Sequence, residues 1–111
     1  MPGNSPRRGD IYNVDFPPPV GPRYAVIVTR DSLNMNANAV VVATITSKQM
    51  HKIYPNEFEI SGGLMSHPSK VKCQNLIMLP KGDLTGGNYF GTLAGSDIPA
   101  LDTALRIALD L

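Results

Sequence analysis

The stretch Val40 to Lys48 reads V-V-V-A-T-I-T-S-K, and its end carries more chemistry than a core strand needs. A buried strand accounts for the β-branched start. It does not account for Thr44, Thr46, Ser47 and Lys48 arriving together. Three hydroxyls and an ammonium at the mouth of a strand are a set of donors and a charge offered to an anionic ligand. A second stretch, Arg23 to Thr29 (R-Y-A-V-I-V-T), has the same design with its cation first. The expectation is that these two strands lie close together and that Arg23 and Thr46 meet at a phosphate. Arginine suits that task because it stays cationic and its fork matches phosphate oxygens. A threonine hydroxyl can donate to a phosphoryl oxygen and fix its orientation. Each also has a plainer reading: a solvated charge for Arg23, a simple β-former for Thr46, a rim charge for Lys48.

The elements that must position these residues are mostly strands. Ile11 to Phe16 alternates Ile11, Asn13, Asp15 with Tyr12, Val14, Phe16, which predicts one buried face. Pro17-Pro18-Pro19 stops it, since proline cannot continue a ladder. Arg23 to Thr29 is the second strand, and Asp31 to Asn38 is a polar connection with at most one helical turn, at Asp31 to Asn34. Val40 to Thr46 is the third strand. A polar loop, Ser47 to Pro55, carries Lys48, His51 and Lys52. Glu57 to Ile60, Val71 to Leu79 and Asn88 to Leu93 are further strands. Ser96 is the expected N-cap of a terminal helix, with Pro99 in its first turn. Leu101, Ala104, Leu105, Ala108 and Leu109 form its apolar stripe, to be packed on the sheet, on a partner, or on both.

The 111 residues suit one domain over 8–111, preceded by a flexible tail over 1–7. An apolar fraction of 42% is globular, and 10 Gly with 10 Pro favour a turn-rich β fold over a helical bundle. A single Cys73 excludes an internal disulfide, and with two His it excludes a Cys-rich zinc site. No segment approaches the ~20 apolar residues of a membrane helix, and the N-terminus lacks a signal-peptide core, so the cytoplasm is the expected compartment. Residues 1–72 hold eight Lys/Arg against five acids, while 73–111 hold two against four. The front of the chain is therefore the part that attracts phosphates.

The order of motifs R-G-D-I-Y-N-V-D-F, P-P-V-G, R-Y-A-V-I-V-T-R-D-S-L-N, A-T-I-T-S, S-K-V-K-C-Q-N-L-I-M-L-P-K-G-D-L and A-L-D-T-A-L-R-I-A-L-D-L resembles the MazF/PemK family of toxin endoribonucleases. It runs from about Arg8 to Leu111. The resemblance implies a mainly β fold with α: an SH3-like, strongly twisted antiparallel β-barrel with a C-terminal amphipathic helix. It implies a homodimer, a cognate antitoxin that would mediate any DNA binding, and metal-independent cleavage of single-stranded RNA with no cofactor. It places a catalytic arginine at Arg23 and a catalytic threonine at Thr46. The chain departs from the family pattern in its short Val20-Gly21-Pro22 loop, in Tyr24, and in lacking a second arginine near Ile77.

RNA supplies its own nucleophile, the 2′-hydroxyl, whose attack on phosphorus gives a 2′,3′-cyclic phosphate and a 5′-hydroxyl end. The enzyme must align the backbone, neutralise the phosphoryl oxygens and move protons. Ser47, Lys48, His51, Gln74 and Asn75 are the candidate RNA-binding residues. Both histidines read first as ordinary surface residues; His51, a few residues past the third strand, is the one that could reach the phosphate from its loop and trade protons, whereas His67 lies before Pro68 in an irregular segment. Gln74 and Asn75 either read bases through their amides or satisfy each other and the backbone. The stacking candidates are Tyr24, Tyr54 and Phe58. An acidic antitoxin tail would lie in the RNA groove and mimic its backbone. The alternative is a CcdB-like gyrase-binding toxin or an inactive binding module of the same fold.

Overall fold

The computed structural model describes residues 6–111. Six strands form one antiparallel sheet: β1 (Asp10–Asp15), β2 (Pro22–Ile27), β3 (Ala39–Thr46), β4 (Glu57–Glu59), β5 (Lys70–Pro80) and β6 (Tyr89–Thr92), in the spatial order β4-β5-β3-β2-β1-β6. The sheet curls into a half-barrel whose edges are the two short strands. A six-residue helix α1 (Asp31–Asn36) joins β2 to β3, and α2 (Ile98–Leu109) ends the chain. The barrel of twisted strands with a terminal helix expected from the sequence is thus present. Neither helix is long and apolar enough to cross a membrane. The tail expected over 1–7 falls largely outside the described residues. Of its last two members, Pro6 is buried, and the Arg7 N–H donates to Asp10 Oδ2 at 2.8 Å.

Period-two alternation sorts the side chains onto the two faces. Along β1 and the residue after it, Tyr12, Val14 and Phe16 are buried and Asn13 and Asp15 are exposed. Tyr12, Val14 and Phe16 join Ala25, Ile27, Val40, Val42 and Leu79 in one apolar cluster. Their neighbours in the chain, Ile11, Val26, Ala43 and Ile45, point the other way into a second cluster with Phe58, Val71, Leu101 and Ala104. Helix α2 closes that second cluster. Leu101 and Ala104 are buried, and Leu105 and Ala108 pack against the cluster, but Leu109 stands 51% exposed. The stripe predicted for the helix is therefore used except at its last residue. Arg8 ties the front of the chain to the same helix through a 2.8 Å ion pair with Asp102, and to the residue after β2 through a 2.9 Å bond from Nε to the Val28 carbonyl.

Two local expectations are corrected. Ser96 does not cap α2. It sits inside a 3₁₀ turn, Gly95–Asp97, that runs into the helix, while Asp97 accepts from the Ser61 N–H and hydroxyl at 3.0 and 2.8 Å. The carboxylate fastens a distant loop instead of the helix end. The connection after β2 is longer than one turn, because Asn34 is fully buried and donates to the Thr29 carbonyl at 2.8 Å, which anchors all of α1.

The ladder between β3 and β5 is interrupted once, at the place that matters for function. Ala43 pairs with Leu76 and Thr44 with Lys72, so Cys73, Gln74 and Asn75 bulge out of register. Bulges of this kind bend a strand and re-aim its side chains.

Leu101 is the fully buried anchor of α2. Leu101→Ala is expected to lower unfolding free energy by about 2–5 kcal/mol, read as a shift of the urea midpoint at unchanged slope.

Candidate active site

The pairing of β2 with β3 sets the geometry of the site. Ala25 lies opposite Thr44. The pairing of these two strands ends there; two residues further along each, and so on the same face of its strand, are Arg23, which pairs with Val14 of β1, and Thr46. The turn before β2 directs Arg23: the Phe16 N–H donates to the Gly21 carbonyl at 3.2 Å, and Gly21 takes a φ of 70° that a side chain would resist. Continuing across the sheet, Thr46 pairs with Lys70 and Thr44 with Lys72 on β5.

These rows open into a cleft of about 620 Å³, lined among others by Arg23, Thr46, Lys48, Lys72, Gln74 and Asn75. Four cations line it and no carboxylate does. Among the described residues, the guanidinium of Arg23 engages only its own neighbour, the Pro22 carbonyl, at 2.8 Å, and neither Lys48 nor Lys72 is in an ion pair. A concave, uncompensated positive surface raises the local concentration of phosphate. The oxygen of Thr46 accepts the Lys48 backbone N–H at 3.1 Å. That bond orients the hydroxyl and leaves its own proton to donate into the cleft.

The fourth cation is different in kind. Lys70 is 2% exposed, and its ammonium is saturated by Glu57 Oε1 at 2.8 Å, the Lys52 carbonyl at 2.9 Å and the Gln49 carbonyl at 3.2 Å. The last two bonds hold the loop after β3, where Gln49 adopts a left-handed φ of 56°. Burial alone would raise the Glu57 carboxyl. Donation from Lys70, Gln74 and the Tyr54 N–H, together with the charge of Lys70, outweighs burial and holds it below the usual range. The Cys73 thiol, by contrast, is pushed up to about 11 by burial, so it is no nucleophile at neutral pH.

With this geometry in place, the comparisons decide the family. A model of the family described as PemK-like, MazF-like toxin of type II toxin–antitoxin system matches residues 7–109. The chain belongs to that family. Among solved structures, it is similar to an endoribonuclease from Mycobacterial species (24% identity, 97% of this chain and 94% of that one, TM-score 0.81). It is also similar to an endoribonuclease in complex with its cognate antitoxin from Mycobacterial species (24% identity, 96% and 97%, TM-score 0.83). The Mycobacterium tuberculosis toxin MazF-mt6 is 28% identical, with 92% and 97% of the chains covered and a TM-score of 0.77. Comparison with curated protein sequences gives no match.

Within this PemK/MazF-like toxin, the candidate residues fall into two groups. Arg23, Thr46 and Lys48 line the cleft and also a second cavity beside it, which Ser47 lines with them. Gln74 and Asn75 are both in the cleft, but they are not equivalent. Gln74 donates to Glu57 Oε2 at 2.7 Å and accepts from Asn56 at 2.8 Å, so its amide is committed to the scaffold. Asn75 sits on the bulge and lines the cleft beside it. His51 is exposed on the loop and lines neither cavity, whereas His67 lines the second. Of the stacking candidates, Phe58 is core and Tyr24 packs on Phe90 at 4.6 Å; Tyr54 is half exposed beneath Lys52. Sequence reasoning missed the Lys70–Glu57 pair, whose partners are both ordinary surface residues by type.

The pair makes a directional forecast for pH. A depressed native carboxyl adds stability above its unfolded value of about 4.3, which is lost as pH falls through the lower native value. Glu57→Gln is expected to melt below wild type at pH 7, with the gap closing as the pH drops below about 4 and Glu57 itself takes up a proton. Thermal melts across that range measure it.

Proposed function

We propose that this toxin is a sequence-selective endoribonuclease that cuts single-stranded RNA without a metal ion. The observation that carries the reading is the placement of Arg23 and Thr46 on one wall of a cationic cleft, with the threonine oxygen oriented by the Lys48 N–H. A phosphodiester seated there meets a guanidinium across its non-bridging oxygens and a hydroxyl donor beside it. Both stabilise the charge that grows when the 2′-oxygen attacks. Lys48 and Lys72 hold the flanking phosphates, and Asn75, with Ser47 at the rim, offers the donors and acceptors that read a base. The products are a 2′,3′-cyclic phosphate and a 5′-hydroxyl. Two solved structures with this fold, described as endoribonucleases, support the reading.

Partners follow from the same surface. A cleft with no carboxylate in its lining suits the acidic tail of a cognate antitoxin as well as it suits RNA. Exposed apolar side chains, Met35, Met78, Ile107 and Leu111 among them, favour a homodimer in which two clefts lie along one RNA. The toxin then works in the cytoplasm, where its RNA and its antitoxin are.

The purified protein is expected to cut RNA in EDTA. Arg23→Ala should abolish detectable cutting with little change in the melt, since Arg23 is exposed. Thr46→Val should lower kcat by about 10²–10³, while Thr46→Ser, which keeps the hydroxyl, retains most of it. Mapping 5′ ends reads activity, end chemistry and cut site together; full activity in Arg23→Ala would remove the mechanism.

A further inference from the structure

The second cavity adjoins the cleft in which the reacting phosphate is placed. It holds about 310 Å³ and shares Arg23, Thr46 and Lys48 with the larger cleft, so the two open from a common wall. The loop between β4 and β5 completes its lining through Met65, Ser66, His67 and Ser69. That loop is well footed. The Ile60 N–H donates to the Ser69 carbonyl at 2.9 Å, and the buried Ser69 hydroxyl donates to the His67 carbonyl at 2.9 Å. Leu64 and Met65 pack against the apolar cluster below, and Pro68 restricts the His67 backbone to extended conformations. An exposed imidazole is thus carried on a backbone fixed on both sides.

Transesterification must remove a proton from the 2′-hydroxyl as its oxygen bonds to phosphorus, and must place one on the 5′-oxygen as that bond breaks. Besides the imidazole of His67, the side chains lining the two cavities are cations, hydroxyls, amides, one phenol and apolar groups. There is no carboxylate among them. His67 is the one lining side chain of a type that offers an unprotonated nitrogen near neutral pH. We infer that His67 is the general base of the cleavage reaction. Its ring nitrogen takes the 2′-hydroxyl proton, the 2′-oxygen bonds to phosphorus, the bond from phosphorus to the 5′-oxygen breaks, and water supplies the proton that the 5′-oxygen takes up. The titratable groups that line this cavity with it are Arg23 and Tyr24 from β2 and Lys48 from the loop after β3. This assignment rests on the nuclease reading above and adds a catalytic residue to it.

The experiment compares wild type, His67→Gln, His67→Ala and Arg23→Ala. Cut sites are first mapped on bulk cellular RNA in EDTA, and an oligonucleotide carrying one site is then assayed from about pH 5 to 8. In His67→Gln, kcat is expected to fall by about 10²–10⁴ with KM little changed. The acid limb of the wild-type profile, where the base takes up a proton, should be missing. Added imidazole should restore part of the rate to His67→Ala. Unchanged melting temperatures control for folding. A His67→Gln enzyme with wild-type kcat and acid limb, beside an inactive Arg23→Ala, overturns the base and leaves the nuclease reading standing. A raised KM with kcat and acid limb intact makes His67 a substrate contact only, and also overturns it. A wild-type protein that cuts no RNA removes both.

Discussion

The buried ammonium of Lys70 is the constraint on which the site depends. An unpaired charge in that position would cost several kcal/mol, and removing one member of such a pair typically costs about 3–5 kcal/mol. The structure meets the demand with one carboxylate and two backbone carbonyls. Each partner belongs to a different part of the site. Glu57 brings β4 and, through Gln74, the bulge of β5. Gln49 and Lys52 bring the loop that follows Thr46. Satisfying one charge therefore fixes the distance between the strand that ends in the hydroxyl and the strand that bulges into the cleft.

The half-barrel divides its labour between two faces. One carries the cluster closed by α2, and the other carries the cluster of Tyr12, Val14, Phe16 and Val42. Where β2 begins and β3 ends that face passes from buried to solvent-accessible, as buried Ala25 and Thr44 give way to Arg23 and Thr46. Arg23 is held in the ladder with β1 and Thr46 in the ladder with β5, so the cleft inherits the rigidity of the sheet. Preorganisation of this kind is what lets a donor stabilise a transition state without reorganising.

Much of this was legible in the chain. Alternation in Ile11 to Phe16 gave the buried face of β1, and the helical spacing from Leu101 to Ala108 gave the packed side of α2, because both depend on local periodicity. The neighbourhood of Arg23 and Thr46 was legible for a similar reason: each sits at the polar end of a β-branched run. Lys70 and Glu57 were not, since charged residues read as solvated until a fold brings them together. The three-residue bulge was hidden too. Cys73 to Asn75 continue a plausible strand pattern, and only the partner strand reveals that they have no place in the ladder. The two histidines were weighed by distance along the chain, which favoured His51, whereas the curl of the sheet brings the loop of His67 to the site. Ser96 has the right type for an N-cap, but the 3₁₀ turn that leads into α2 takes it in, and the residue at the cap position, Asp97, bonds to Ser61.

The bulge has an evolutionary corollary. Asn75 stands outside the inter-strand pairing, so exchanging it, or lengthening the chain there by a residue, need not disturb the hydrogen bonds of β3 with β5. Variation can accumulate at that point while the reactive groups on β2 and β3 stay where they are. A scaffold arranged in this way lets descendants acquire new target sequences without having to reinvent the cut.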